Sequence, residues 1–198
     1  LPDSSEIWIN AGTTIKYPEE FKRKKRIVQL DGEAYFSVRK DESKPFVVNT
    51  QNLSVNVLGT KFNIKAYSNE EQVITTLTSG KVEVQSEKQS QILKPNEQLS
   101  FDKKTAVINI IEIPPSETNA WLTGQLIFTN ASIKEILKTL ERKFNISIED
   151  KASISTTKLY TVKFLKNESI YEVLNILGDI ADVQYQIKGK QITVYNNE

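Results

Sequence analysis

The sequence predicts two domains of different fold class, an all-β domain over residues 1–113 and an α+β domain over residues 121–198. Apolar and polar residues alternate through the first part, which is the period of β-strands. In the second part, apolar residues recur twice at helical spacing. Between the two parts, the adjacent residues Pro114 and Pro115 stop a strand and predict a stiff, extended linker over residues 114–120.

The first domain has strand patterning from end to end. Residues 6–10, 33–38, 53–58 and 81–85 alternate or nearly alternate, and they are rich in β-branched and aromatic side chains. No segment of residues 1–113 carries the apolar i, i+3, i+4, i+7 stripe of a helix. We therefore expect about 10–12 short strands, folded as a β-sandwich or as a short β-solenoid.

Four glycines precede strand segments at intervals of about 20–27 residues, a spacing typical of stacked coils or paired hairpins. They are Gly12, Gly32, Gly59 and Gly80. Each is expected at a positive φ or at a tight corner that a Cβ would obstruct. A glycine-rich phosphate loop does not fit, because no helical pattern follows any of them.

Two capping boxes mark helix starts in the second domain. In each box a serine hydroxyl can accept a hydrogen bond from the amide three residues on, while a glutamate reaches back to the serine amide. The pairs are Ser132 with Glu135 and Ser169 with Glu172. Apolar stripes at helical spacing follow the two boxes: Ile133, Ile136, Leu137, Leu140 and Phe144 after the first, and Ile170, Val173, Leu174, Leu177 and Ala181 after the second.

Short strand patterns surround these two helices. Gly189 and Lys190 predict a two-residue hairpin turn between the last two strands. The order is therefore βαβ followed by βαββ, an internal duplication that is expected to bury both helix stripes against a small sheet. The predicted strands are residues 125–128, 145–149, 160–164, 183–188 and 191–195.

Composition excludes several kinds of site. The chain has no histidine and no cysteine, so thiolate nucleophiles, disulfides, cysteine-type zinc sites and histidine bases are absent. The acidic residues at 31–33 and 149–150 are interpreted as turn residues rather than as Ca²⁺ or Mg²⁺ ligands. We expect no metal, no cofactor and no catalytic site. The 26 basic and 25 acidic residues nearly cancel, so no long-range field favours nucleic acid.

One local charge cluster departs from this balance. Such a cluster can face phosphate or an anionic membrane surface. It can also be a solvated loop between two strands, and that interpretation is favoured because acidic residues precede it. The cluster is the consecutive run Lys22, Arg23, Lys24, Lys25 and Arg26.

Several segments of the first domain resemble the FecR-like domain, in that family's own order. Residues 58–67, with the sequence LGTKFNIKAY, are similar to its central signature. One departure is Ser4, which stands between Asp3 and Ser5 where the family usually has glycine. Further matching segments are residues 30–38, 44–48, 77–84 and 93–98.

In the second domain, residues 121–128 and 140–144 resemble the C-terminal domain that follows in this family. That domain is similar to the short STN module of secretins and TonB-dependent receptors. The resemblance therefore covers nearly the whole chain and implies that residues 121–198 form an STN-like signalling domain.

The resemblance also implies a transmembrane anti-sigma regulator of cell-surface signalling, with this chain as its periplasmic sensor region. A cytoplasmic segment would hold an extracytoplasmic-function sigma factor, and an N-terminal helix would cross the inner membrane. The periplasmic partner would be the signalling domain of an outer-membrane TonB-dependent transducer. The chain has no apolar run near the roughly 18–20 residues that cross a bilayer. It begins at Leu1 and has no methionine, so we expect it to be part of a longer protein.

The expected contact with that partner is strand addition at a sheet edge formed by residues 191–195. Main-chain hydrogen bonds would supply the affinity. The side chains of Gln191, Thr193 and Tyr195 are the candidate partner contacts, whereas Ile192 and Val194 are expected in the core.

Two other functions compete with this interpretation. A carbohydrate-active enzyme would use two carboxylates, for which Glu33, Glu83 and Glu97 are the candidates. A structural module of an envelope or secretion assembly is the other, because STN-like domains also occur in secretins. Trp121 can couple the two domains or pack against the first strand of its own domain, and packing is the preferred interpretation.

Overall fold

The computed structural model describes residues 1–152 and 158–196. These residues are mostly β-structure, and they include two α-helices, both in the second part of the chain. It divides into two compact units, Leu1–Asn119 and Ala120–Glu198. The change of hydrophobic period along the sequence therefore corresponds to a change of secondary structure.

The first unit is built on one curled sheet of eleven strands. Its main path runs β11-β10-β7-β6-β3-β4-β5-β8-β9, and β1 and β2 also pair with β3. The strands are β1 (Glu6–Ile9), β2 (Thr14–Lys16), β3 (Arg26–Ser37), β4 (Phe46–Asn49), β5 (Ser54–Val57), β6 (Lys61–Ala66), β7 (Gln72–Ser79), β8 (Val82–Gln85), β9 (Ser90–Leu93), β10 (Glu97–Asp102) and β11 (Ile108–Glu112).

The long strand β3 makes the sheet curl. Its first half pairs with β2 and, in parallel, with β4, whereas its second half pairs with β1 and β6. The two ends of the sheet approach each other, since β9 also contacts β10. One core is enclosed between the two halves of this curled sheet.

Three phenylalanines join the two halves of this core. Phe36 of β3 stacks on Phe62 of β6 with ring centroids 5.0 Å apart, and it meets Phe46 of β4 edge-on at 6.2 Å. All three side chains are fully buried. Offset-stacked and edge-to-face aromatic pairs add about 0.5–1.5 kcal/mol beyond the area they bury.

The glycine prediction is confirmed at two instructive positions. Gly32 has a φ of +130°, and a Cβ there would lie 2.5 Å from Thr13 Oγ1. Gly59 has no positive φ, but an added Cβ would lie 2.5 Å from the Lys40 Cα. A side chain at Gly59 would therefore force two backbone segments apart.

The predicted linker is extended only at its start. Pro114 has φ −57° and ψ 137°, but Pro115–Glu117 forms a 3₁₀ turn. Thr118 is buried, and its hydroxyl donates to the Pro115 carbonyl at 2.9 Å. The expectation of an extended connector was wrong beyond Pro114, because proline is also favoured at the first position of a helical turn, where its missing N–H costs nothing.

The second unit contains the predicted elements in the predicted order. Its strands form two sheets rather than one: an antiparallel pair β12-β14, and a three-stranded sheet β13-β16-β15. The elements are β12 (Leu126–Ser132), α1 (Ile133–Phe144), β13 (Ser147–Asp150), β14 (Leu159–Phe164), α2 (Ile170–Ala181), β15 (Val183–Lys188) and β16 (Gln191–Asn196), preceded by a 3₁₀ turn at Ala120–Thr123. The two helix stripes share one core with residues of both sheets, so each sheet covers part of it.

Both capping boxes form as predicted. The Glu135 carboxylate accepts from the Ser132 amide at 2.8 Å, and the Glu172 carboxylate accepts from the Ser169 amide at 2.8 Å. Each serine hydroxyl accepts the return hydrogen bond from its glutamate amide. Each helix ends at a residue with left-handed backbone conformation, Asn145 after α1 and Asp182 after α2. The buried stripe residues are Ile133, Ile136, Leu137 and Leu140 in α1 and Val173, Leu174 and Leu177 in α2.

Candidate protein-interaction site

The C-terminal strand β16 lies in the centre of its sheet. It pairs in parallel with β13 on one side and antiparallel with β15 on the other. The prediction that residues 191–195 form a free edge was therefore wrong. A parallel pairing joins segments far apart in sequence, and the local pattern around β16 shows only the hairpin to β15.

The two faces of β16 separate as the alternation predicts. Ile192 and Val194 are buried in the core, as expected. The three predicted contact residues share the other face, where Gln191 is exposed and Thr193 and Tyr195 are half-buried. Tyr195 donates a hydrogen bond to Gln186 Oε1 of β15 at 3.1 Å. This face is a polar surface, and its contact with a partner stays a prediction.

The outer edge of β13 is closed by a side chain. The Ser147 amide donates to the Lys190 carbonyl at 2.9 Å. Backbone groups alternate in direction along a strand, so those of Ser147 and Glu149 face β16. The backbone groups of Ile148 point away from β16, and its amide donates to Glu141 Oε1 of α1 at 2.8 Å. A carboxylate on an outward amide blocks the position where another strand would bind.

The outer edge of β15 has no such cover. The Lys190 and Val194 carbonyls accept hydrogen bonds on the β13 side of β16. Backbone groups alternate in direction along a strand, so those of Gln191, Thr193 and Tyr195 face β15. The backbone groups of Val183, Tyr185 and Ile187 must then point away from the sheet. Within residues 1–152 and 158–196, no partner takes these outward groups.

The basic run divides into two structural roles. Its first four residues are exposed in the loop between β2 and β3, which agrees with the solvated-loop interpretation. Arg26 departs from that interpretation, because its side chain is 2% exposed and bonded inside the unit. Its Nη1 lies 2.6 Å from Asp3 Oδ2, and its Nε donates to the Lys44 carbonyl at 2.8 Å. Arg26 is therefore an anchor for the N-terminal segment.

The turn around Asp3 completes this anchor. Ser5 Oγ donates to Asp3 Oδ2 at 2.7 Å and accepts from the Arg39 amide at 3.0 Å. Burial raises the pKa of Asp3, but the hydrogen bonds from Arg26 and Ser5 outweigh it and hold the pKa below its ordinary value. Ser4 has a φ of +65°, a conformation that favours glycine. The family's usual glycine at this position thus has a backbone reason.

The three candidate carboxylates of an enzyme are not brought together. Glu33, Glu83 and Glu97 lie on β3, β8 and β10, and no two of these strands are neighbours in the sheet. Glu33 accepts from the side-chain amides of Asn10 and Asn63 at 2.8 and 2.9 Å. Glu83 accepts from a serine hydroxyl, and Glu97 accepts from a backbone amide in a tight turn. Each carboxylate stabilises local structure.

The other acidic residues from the sequence have similar local roles. Asp31 accepts from the Ser68 amide at 2.9 Å, and Glu149 pairs with Lys151 at 3.5 Å. No three potential metal ligands converge within the described residues. Neither helix in the described ranges is long and apolar enough to cross a membrane.

Trp121 lies in the 3₁₀ turn that precedes β12. That turn contacts β12, the first strand of the same unit, and the packing of the Trp121 side chain on this strand stays a prediction. The Gly124 amide closes the turn by donating to the Trp121 carbonyl at 3.0 Å.

The sequence analysis missed the roles of two side chains, Glu141 in the second unit and Arg26 in the first. The contact of Glu141 with β13 has no signal in the sequence, because an acidic residue on a charged helix is ordinary. The anchoring role of Arg26 had a signal, since the matching Asp3 turn precedes a strand that begins with arginine.

Comparison with known proteins agrees with this architecture. Residues 1–83 match the family described as FecR protein, and residues 125–194 match the family described as FecR, C-terminal. Two crystal structures of a candidate anti-sigma factor from Parabacteroides distasonis ATCC 8503, at 1.65 and 2.50 Å resolution, are similar to the whole chain. Each is 33% identical to it, with TM-scores of 0.94 and 0.95. The likeness covers 100% of this chain and 93% or 92% of theirs.

No curated protein matches the chain. The two family matches follow each other in the order of the two structural units. The likeness to the solved structures runs through both units without interruption. The chain therefore belongs to the FecR family of anti-sigma factors.

Proposed function

We propose that this chain is the periplasmic sensor region of a transmembrane anti-sigma factor. It receives a signal from an outer-membrane TonB-dependent transducer and relays that signal toward an extracytoplasmic-function sigma factor, which a cytoplasmic segment of the same protein holds. The observation that carries the proposal is the likeness of the whole chain to a candidate anti-sigma factor. Proteins of this class regulate transcription through binding, so the chain acts by recognition.

The second unit is the proposed receiver. Its duplicated βαβ and βαββ halves support an STN-like signalling domain, the type of module that the sequence resembles. The polar face with Gln191, Thr193 and Tyr195 supports protein contact, since it is formed by a sheet whose other face holds the core. No charge cluster of this unit suggests nucleic acid as the partner.

The test is calorimetric titration of the chain with the periplasmic signalling domain of the transducer encoded beside it. The proposal predicts saturable 1:1 binding, and no binding to the signalling domain of an unrelated transducer, which is the matched control. Absence of binding at high micromolar concentration, with both proteins folded, would contradict the proposal. That outcome would favour a structural role in an envelope assembly.

A further inference from the structure

The two halves of the second unit differ at one equivalent position. α1 and α2 each have twelve residues, and each follows its capping serine directly. Glu141 of α1 and Gly178 of α2 occupy the same place in their helices, nine residues after the capping serine. Seven residues later stand Ile148 of β13 and Tyr185 of β15, and both point their amides outward. The glutamate covers the first amide, and the glycine cannot cover the second.

The close packing of α2 on β15 also explains on steric grounds why residue 178 is glycine. A Cβ at Gly178 would lie 2.9 Å from the Val183 carbonyl oxygen and 3.4 Å from the Tyr185 ring. α2 therefore lies too close to the start of β15 for any side chain to reach the outer edge from this position. α2 thus occupies the space beside the Val183 carbonyl, and the open part of the edge is formed by the backbone groups of Tyr185 and Ile187.

The edge of β15 also lacks the usual features that prevent strand pairing. It is six residues long, its register with β16 is regular, and it contains no proline. Its one charged residue, Lys188, stands at the end beside the hairpin. Exposed edges are normally protected by short length, bulges, prolines or several charges. We infer that the outer edge of β15 is the docking edge for an extended strand of the periplasmic protein partner.

The chemistry beside the edge specifies that strand. Val183, Tyr185 and Ile187 face the core side, where α2 packs on the sheet. Tyr171 precedes Gly178 by two helical turns on the same side of α2, and it is 61% exposed. An added strand would thus place its inward side chains against Tyr171. Those side chains are apolar.

The opposite side of the added strand lies beside a polar row. β15 presents Gln184, Gln186 and Lys188 there, with one positive charge and no acidic residue. The partner strand therefore alternates apolar residues with polar ones, and an acidic residue faces Lys188. Main-chain hydrogen bonds to Tyr185 and Ile187 supply affinity, and the alternating side chains supply specificity.

This inference rests on the proposed function. A pair of variants at Ile187 tests the docking edge separately from partner binding as such. Ile187→Pro and Ile187→Ala both remove the same half-buried side chain, but only proline removes the outward amide and places a ring in the path of a strand. Because that amide makes no bond within the sheet, proline is tolerated in the ladder. In calorimetric titration with the transducer signalling domain, Ile187→Pro is expected to bind at least tenfold more weakly than Ile187→Ala. Equal affinity of the two folded variants would overturn the inference.

Amide hydrogen exchange in the unmutated complex gives a second readout if Ile187→Pro does not fold. The Tyr185 and Ile187 amides are expected to become protected at least tenfold when the signalling domain binds. Binding without that protection would overturn the edge and leave the proposed function intact, whereas failure to bind at all would remove both. Protection that depends on protein concentration without the partner would assign the edge to a second copy and overturn the inference.

Discussion

An ion pair in the first unit and a strand edge in the second show two different uses of polar groups. In the first unit, the buried Arg26 and the partly buried Asp3 bond to each other, and Arg26 also bonds to the backbone around it. In the second unit, the backbone groups of Tyr185 and Ile187 at the β15 edge have no partner among the described residues. The ion pair holds a chain segment in place, whereas the backbone groups of the edge are available for binding.

Removing Arg26 is expected to have the largest effect. Arg26→Met leaves the partly buried Asp3 carboxylate without its cation and the Lys44 carbonyl without its donor, and it should lower the free energy of unfolding by about 3 kcal/mol. Urea denaturation measures the change. Lys24→Met, in the exposed part of the same basic run, is the control and should stay within about 0.5 kcal/mol. Equal effects of the two substitutions would contradict the anchoring role of Arg26.

The same anchor predicts a specific pH dependence. The pKa of Asp3 is lower in the folded chain than its ordinary value of 3.8. Its ionised form therefore contributes stability that is present above that ordinary value and is lost as pH falls through the folded pKa. Asp3→Asn should cost about 2 kcal/mol at pH 7, and the cost should shrink as the pH falls below about 4. A pH-independent difference between the two proteins would show that the charge of Asp3 is not involved.

Glu141 tests the closed edge of the second unit. Glu141→Ala removes the hydrogen bond that the Ile148 amide donates to the carboxylate and should lower stability by about 1–2 kcal/mol. The Ile148 amide should also exchange faster with solvent, which makes β13 resemble β15. Glu149→Ala, on the same strand but paired only with an exposed lysine, should change neither quantity appreciably. Unchanged exchange at Ile148 in Glu141→Ala would contradict the comparison of the two edges.

Ser4 offers a stabilising change in the first unit. Its φ of +65° is costly for any residue with a Cβ, so Ser4→Gly should raise stability by about 0.5–1 kcal/mol, since the gain exceeds the entropy that glycine adds to the unfolded chain. Ser4→Ala retains the strain and should give no gain. Thermal unfolding of the three proteins distinguishes these outcomes, and equal midpoints would show that the turn carries no strain.

The smallest effect is expected at Tyr185. Burial, together with nearby Tyr160 and Asp150, raises the pKa of this hydroxyl far above its ordinary value. Because the buried hydroxyl has no hydrogen-bond partner among the described residues, Tyr185→Phe should be neutral or stabilising by up to about 1 kcal/mol. Tyr195→Phe removes a formed hydrogen bond to Gln186 and is expected to be neutral or slightly destabilising. A clear loss of stability in Tyr185→Phe would show that the hydroxyl does have a partner.

Local patterns predicted most of the elements because strands and helices leave different periods in the sequence. The alternation of residues 53–58 and the capping box at Ser132 each identified an element that the structure contains. The central position of β16 could not be predicted, because its pairing with β13 joins segments more than forty residues apart. Non-local pairing leaves no local signature.

The candidate site shows the same limit. The alternation correctly placed Ile192 and Val194 in the core and Gln191, Thr193 and Tyr195 on the other face. Two helix residues decide which edge is open. Glu141 accepts a hydrogen bond from the β13 edge, whereas Gly178 lies close to β15 and has no side chain to cover it. A charged residue and a glycine in a helix have many ordinary explanations, so only the structure assigns these roles.

The most direct measurement is amide hydrogen exchange of the free, unmutated chain. We predict that the Tyr185 and Ile187 amides exchange rapidly, while the Gln184 and Gln186 amides of the same strand and the capped Ile148 amide are protected. Such alternation along β15, next to a protected β13, would establish one open and one closed edge in the same sheet. Protection of Tyr185 and Ile187 equal to that of Ile148 would contradict the open edge of β15.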